Sequence, residues 1–280
     1  MVLRVFVCRI FLVVAGCCLT LAEAQVSVPR PPSRPRSSSA NFDAAAERQF
    51  LELANQERAD VGLPPLVMDE GLRKAARGHS TGMAEHRELT HNLPGEPDLS
   101  QRLSANSESH FDQAGENVAY ANSVADAHNG LMHSPPHREN LLDPKYNAVG
   151  MGVVWSGSTL YVTQDFGHVL PTYSGAKAED LIAETVQHSR QVAHLNPMAR
   201  IDNREAHESA CAMAAADSVH VTAPSDHTAL RYTTMQPDIL PSNVAKMTLD
   251  PNVRSFAVGS CYSRTDHYPS GVYWVTLILY

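Results

Sequence analysis

Gly115-Glu116-Asn117-Val118-Ala119-Tyr120 and Ser134-Pro135-Pro136-His137-Arg138-Glu139-Asn140-Leu141-Leu142 are the two stretches around which this 280-residue chain is organised. Each sets one ionisable side chain, Glu116 or His137, in a polar, turn-prone context. Gly and Pro punctuate the backbone there, so both segments are expected to be loops or element ends. A third candidate, His91, lies earlier, in Leu89-Thr90-His91-Asn92. Two imidazoles and a carboxylate brought together can hold a divalent metal or share protons. The spacing makes no local metal motif, so the fold has to assemble the three.

Around these stretches the chain resembles the CAP superfamily: cysteine-rich secretory, antigen 5 and pathogenesis-related 1 proteins. The bacterial branch is the nearer match. The resemblance is carried, in order, by Thr90-His91, Gly115 to Asn117 and the Ser-Pro-x-His-Arg-x-Asn-Leu segment from Ser134 to Leu141. Ala148-Val149-Gly150-Met151-Gly152-Val153 and Tyr161-Val162-Thr163-Gln164-Asp165-Phe166-Gly167 follow. It spans roughly residues 43–168 and implies an α-β-α sandwich with a central cleft of two His and two acidic residues. His91, Glu116 and His137 match three of those four positions. They are the expected ligand-binding residues, and metal ligands for one Zn or Mg ion. The place of the fourth, acidic residue is held by Ser134. The competing reading is structural: Glu116 accepts backbone N–H bonds from turns, while His137, Arg138 and Asn140 pin their loop.

The elements agree with an α+β protein. Asn41 or Asp43 can cap a helix to about residue 60 with Phe50, Leu53, Ala54 and Val61 on one face. Gly62 and Pro64-Pro65 stop it. A second helix starts near Asp69, with Leu72, Ala75, Ala76, His79 and Met83 in one stripe. His79 there reads as a packed core histidine, His86 and His128 as solvated. Residues 99–103 form a short helix, 104–114 a loop and 124–133 a helix. Residues 148–155 and 160–166 form a hairpin.

After Gly167 the pattern restarts. Helices are expected at 178–193 and after Asp202 or Asn203, and strands at 255–262 and 271–280. Gly62-Leu63-Pro64 parallels Leu195-Asn196-Pro197, Ala148-Val149-Gly150 parallels Ala257-Val258-Gly259, and Val162-Thr163 parallels Val275-Thr276. Residues 175–280 are therefore either a reduced second CAP-like copy lacking the site or an unrelated α+β extension. The domain after the linker is expected at 41–170.

Arg4 and Arg9 precede an apolar run to Ala22, and Ala22-Glu23-Ala24 fits a signal-peptidase site, so residues 1–24 read as an export signal. Val14-Ala15-Gly16-Cys17 also fits a lipoprotein box, which would anchor the chain to an envelope through a lipidated Cys17. Residues 25–40, rich in Pro, Ser and Arg, read as a disordered spacer. Cys8, Cys17 and Cys18 fall in the leader. Cys211 and Cys261 remain, and in an exported protein such a pair reads as a disulfide. The net charge of -8, without a basic stripe beyond the linker, argues against nucleic acid as a partner.

No convincing nucleophile or phosphate loop is present. The expected role is non-enzymatic binding outside the cytoplasm, in secreted, periplasmic or envelope-anchored form. The resemblance implies a lipid, a glycan or an envelope protein as partner. The alternatives are a metal-dependent hydrolase built on His91, Glu116 and His137, and a structural envelope lipoprotein.

Overall fold

The computed structural model describes residues 42–221 and 227–280. The expected signal peptide, the lipid site at Cys17 and the linker lie outside the described residues. Among the described residues, no helix is long and apolar enough to cross a membrane.

Helix α1 (Ala44–Asp60) starts at Asp43, whose side chain accepts the Ala45 and Ala46 N–H groups. Gly62 takes the left-handed conformation that ends it, at φ 77°. Strand β1 (Val67–Met68) follows, and Asp69 caps α2 (Glu70–His86). Then come α3 (Leu99–Asn106), β2 (His110–Ala121), α4 (Val124–His133), α5 (Pro135–Leu141), β3 (Ala148–Ser156) and β4 (Thr159–Leu170). The strands form one sheet in the order β1-β3-β4-β2, with β2 at an edge. One sheet face carries Val149, Met151 and Val153 into a core with Phe50 and Ala54 of α1 and Ala127 of α4. The other face meets α2. A Cβ on Gly150 or Gly152 would strike the α2 backbone at Leu72 or Ala76, so glycine sets how close that helix lies.

The second half repeats this plan. It comprises α6 (Gly175–Val192), β5 (Ala199–Arg200), α7 (Arg204–Ala216), β6 (Thr228–Thr234), α8 (Ser242–Thr248), β7 (Ser255–Ser263) and β8 (Val272–Leu279). Its sheet order is β5-β7-β8-β6. The correspondence holds residue by residue. Buried Arg58 donates to the carbonyls of Pro64, Leu141, Asp143 and Tyr146. Buried Arg190 donates to those of Asn196, Thr248 and Asp250. Parallel pair Val67–Ala148 matches Ala199–Ser255, and the row Val118–Thr163–Gly152 matches Arg231–Thr276–Gly259. Left-handed Gly62 matches left-handed His194. Cys211 of α7 and Cys261 of β7 form the disulfide.

Several expectations change. Ala148 corresponds to Ser255, not Ala257, so the strand offset is two residues smaller than the sequence match suggests. Side chains alternate with period two, and a two-residue slip leaves the inward face unaltered. Residues 110–114 are strand, and Glu116 lies well inside β2. Pairing with β4, a distant partner, makes that strand. The two prolines at 135 and 136 open α5 instead of interrupting the chain, because proline's missing N–H and fixed φ suit the first helical turn. Val61 is exposed, and His128 is buried beside Glu57 at 3.4 Å. The elements β5, β6 and α8 have no counterpart in the expectation.

The halves touch through specific polar contacts. The ring of buried His110 lies between the carbonyls of Met235, at 2.8 Å, and Ser270, at 3.2 Å. Arg264 donates to the Ser104, Ser107 and Ser109 carbonyls.

Candidate functional site

Glu116 sits on edge strand β2 facing the α2 side, and is 7 % exposed. Its Oε1 lies 2.8 Å from His91 Nδ1, and its Oε2 accepts from Arg102 Nη2. Arg102 comes from the inner side of α3, 5 % exposed, and its Nη1 reaches Glu96 Oε2 at 3.0 Å. Glu96 also meets His79 Nδ1 at 2.8 Å. His79 Nε2 lies 2.8 Å from the Thr90 carbonyl, which ties α2 to the segment that carries His91. Burial pushes the Glu96 carboxyl up, but the hydrogen bond and charge of His79, the Leu93 N–H and the Arg102 charge outweigh it and hold it below the ordinary value.

The opposite side of β2 positions His137. Asn117 donates to the His137 carbonyl at 2.9 Å and to Gln164 Oε1 at 3.1 Å. Asn140 donates to the Glu116 carbonyl at 3.2 Å and to Asn117 Oδ1 at 3.1 Å. Together these bonds clamp α5 to the edge strand. The His137 ring then meets Ser134 Oγ through Nδ1 at 2.8 Å. Burial, and then the nearby charge of His91, push the His137 pKa below its ordinary value. The side chain of His91 is 52 % exposed, so its ring is open to solvent beyond its bond to Glu116.

Reading the residue types alone misses Glu96, Arg102 and Asp165. The available signal for Arg102 is its place between Leu99 and Leu103, on the inner face of a short amphipathic helix. His79 is the packed, hydrogen-bonded histidine expected of the α2 stripe, yet it also belongs to the cleft's polar network, 3.9 Å from Glu116 Oε2. Glu116 accepts from side chains rather than from turn N–H groups. His133 bonds to the Asn129 carbonyl of its own helix.

The three-residue metal set does not fit this geometry. Among the described residues no group of three or more His, Cys, Asp and Glu is arranged to hold a metal ion, and the Glu116 charge is already paired with the Arg102 guanidinium. Glu116 instead orients His91 through Nδ1.

Helices on both faces of one four-stranded sheet, with a His/Glu cluster at its edge strand, define the class of fold. Residues 51–166 match the family model described as "CAP: Cysteine-rich secretory protein family". The first half of the chain is a CAP domain, and the relatives it resembles are bacterial. One is the uncharacterized protein YkwD of Bacillus subtilis (strain 168), 34% identical over 126 residues, covering 44% of this chain and 48% of that one. Another is the uncharacterized membrane protein YlbC of the same organism, 38% identical over 129 residues, covering 45% of this chain and 35% of that one. The chain thus spans about half or less of the length of these relatives. A solved extracellular protein containing an SCP domain, from Bacillus anthracis str. Ames, is 31% identical with a TM-score of 0.40; the match covers 44% of this chain and 40% of that one.

Proposed function

We propose that the protein is an exported CAP-domain binding protein that takes a hydroxyl-bearing ligand, a glycan or the polar end of a lipid of the cell envelope, at His91 and His137. The carrying observation is that each imidazole is anchored through Nδ1, one by Glu116 and the other by Ser134. That leaves the two Nε2 atoms as the ligand-facing nitrogens. In its neutral form a ring that gives Nδ1–H to a carboxylate presents an acceptor at Nε2, and neutral His137 offers one donor and one acceptor in all. A hydroxyl group both donates and accepts, so it suits this pair. The export-signal pattern at residues 1–24 and the extracellular relative support a place outside the cytoplasm.

The hydrolase reading is weaker. It asks Glu116 to be a metal ligand or a free base, and that carboxylate is already charge-paired with the Arg102 guanidinium and bonded to His91. Elemental analysis of protein purified without chelator or a His-tag is expected to find no stoichiometric divalent metal.

Co-sedimentation with purified peptidoglycan and with phosphatidylglycerol vesicles tests the binding role. Wild type is expected to pellet with one of them, and a His91→Ala, His137→Ala double variant to lose at least tenfold in affinity. Equal behaviour of both proteins on both probes overturns the reading. The N-terminus of the exported form, read by mass spectrometry, separates cleavage before Gln25 from a lipidated Cys17.

A further inference from the structure

Asp165 of β4 lies directly across from Glu116 on one side and from Gly150 on the other. In-register neighbours on antiparallel strands share a sheet face, with Cβ atoms about 5 Å apart. The three positions therefore make a row beneath α2, where Gly150 admits the Leu72–Arg73 backbone. Asp165 is 0 % exposed, and neither of its carboxyl oxygens meets a donor. The charged groups facing it are Glu116 from β2, Arg102 from α3 and Glu96 from the segment before α3. From α2, His79 approaches the far side of the pair, at Glu116.

The fold does not require a carboxyl here. The corresponding row of the second half is Ala229, Ile278 and Ala257, closed as an apolar cluster with Ala206 of α7. The same architecture is thus built with hydrocarbon where the first half buries two carboxyl groups. Burying polar groups opposes stability unless they are paired. Two ionised carboxylates cannot face each other in such a place, whereas a pair sharing one proton can.

We propose that Asp165 is a positioning residue of the cleft, its carboxyl donating a hydrogen bond to Glu116 and so locking the Glu116 carboxylate where it receives His91 Nδ1–H. This rests on His91 being ligand-facing. Two carboxyl groups buried in register, one of them without a donor, are held together by a shared proton, and burial and then the charge of Glu116 shift the Asp165 carboxyl upwards, in the direction that favours its protonated form. The Glu116 oxygens have lone pairs to spare after accepting from His91 and Arg102.

The test uses nitrogen-15 NMR of histidine rings in the ligand-free protein, with His91→Gln to assign the signal. Wild type is expected to show His91 as the Nδ1–H tautomer at neutral pH. Asp165→Asn, whose amide can donate in place of the acid, should keep that tautomer. Asp165→Ala should convert it to a mixture of the two forms. An infrared band of a buried protonated carboxyl should be present in wild type and missing from Asp165→Asn. An unchanged tautomer in Asp165→Ala, or no such band in wild type, overturns the proposal. If Asp165→Ala does not fold, the band and the Asn variant decide alone. Neither readout involves a ligand, so failure here is distinct from failure of the binding experiment.

Discussion

The two halves share a topology and differ at the cleft. At matched positions Glu116 becomes Ala229, Asn117 becomes Leu230, Gln164 becomes Leu277 and Asp165 becomes Ile278. His137 of α5 becomes Val244 of α8, which is 2 % exposed and part of the second core. What the copies keep is equally informative: the arginine that ties the first helix to the late loop, the glycine under the second helix, and the sheet order. The molecule thus contains its own control. The retained features are those the fold needs, and the replaced ones are those the fold can do without. The second half also carries a feature that the first lacks, the Cys211–Cys261 disulfide.

The strongest way to break this comparison is at the shared arginines. Truncating a buried guanidinium strands several buried carbonyls, each at about 1–3 kcal/mol. Arg58→Ala and Arg190→Ala should each destabilise by about 3 kcal/mol or more by denaturant unfolding. A neutral Arg190→Ala would show that the second half is not built on the same plan.

Next in size is the disulfide. Removing it with a Cys211→Ser, Cys261→Ser pair should cost about 2–4 kcal/mol, by the loop-closure estimate for a long loop. Hydrogen exchange should show the loss concentrated in α7, β7 and β8. Uniform loss across both halves would contradict a local staple. Unreduced protein should also show both thiols blocked in mass spectrometry.

Gly152→Ala and Gly259→Ala should each destabilise by about 1–3 kcal/mol, because both push a Cβ into a helix backbone. Loss at one site and tolerance at the other would separate the halves.

The smallest effects are those of pH. The folded His137 pKa is lowered, so the unfolded chain binds the extra proton first as pH falls past the ordinary value of 6.5. Its contribution is present above that pH and is lost below it. Asp165 has the opposite sign. Its folded pKa is raised from 3.8, so any stability it lends is complete below that value and declines as pH rises towards the raised folded pKa. Asp165→Asn should therefore be relatively more stable than wild type at neutral pH than in acid. The matched positions of the second half hold Val244 and Ile278, which do not titrate, so His137→Val and Asp165→Ile in the full chain give the flat baseline.

Much of the fold was legible in residue order. Asp43, Asp69 and Asn203 announce helix starts because a short polar side chain can accept the free N–H groups of a first turn. Gly62 and Pro64-Pro65 announce a stop. Runs of Val, Gly and aromatic residues mark β3, β4, β7 and β8, and the two late cysteines announce their bond. These signals are local, and local physics suffices to read them. The CAP motifs likewise single out His91, Glu116 and His137 from residue order alone.

What only the tertiary structure decided depends on contacts between distant segments. His110 to Gly115 carry no strand alternation, and pairing with β4 makes them strand. Glu116 reads as a turn residue beside Gly115, yet Arg102, fourteen positions earlier in another element, engages it. Asp165 resembles a surface residue in Gln164-Asp165-Phe166 until Glu116 and Gly150 close on it from both neighbouring strands. The offset between the copies was ambiguous for the same reason. A two-residue shift preserves which side chains face inward, so only hydrogen-bonded register, set across the sheet, could tell Ser255 from Ala257 as the partner of Ala148.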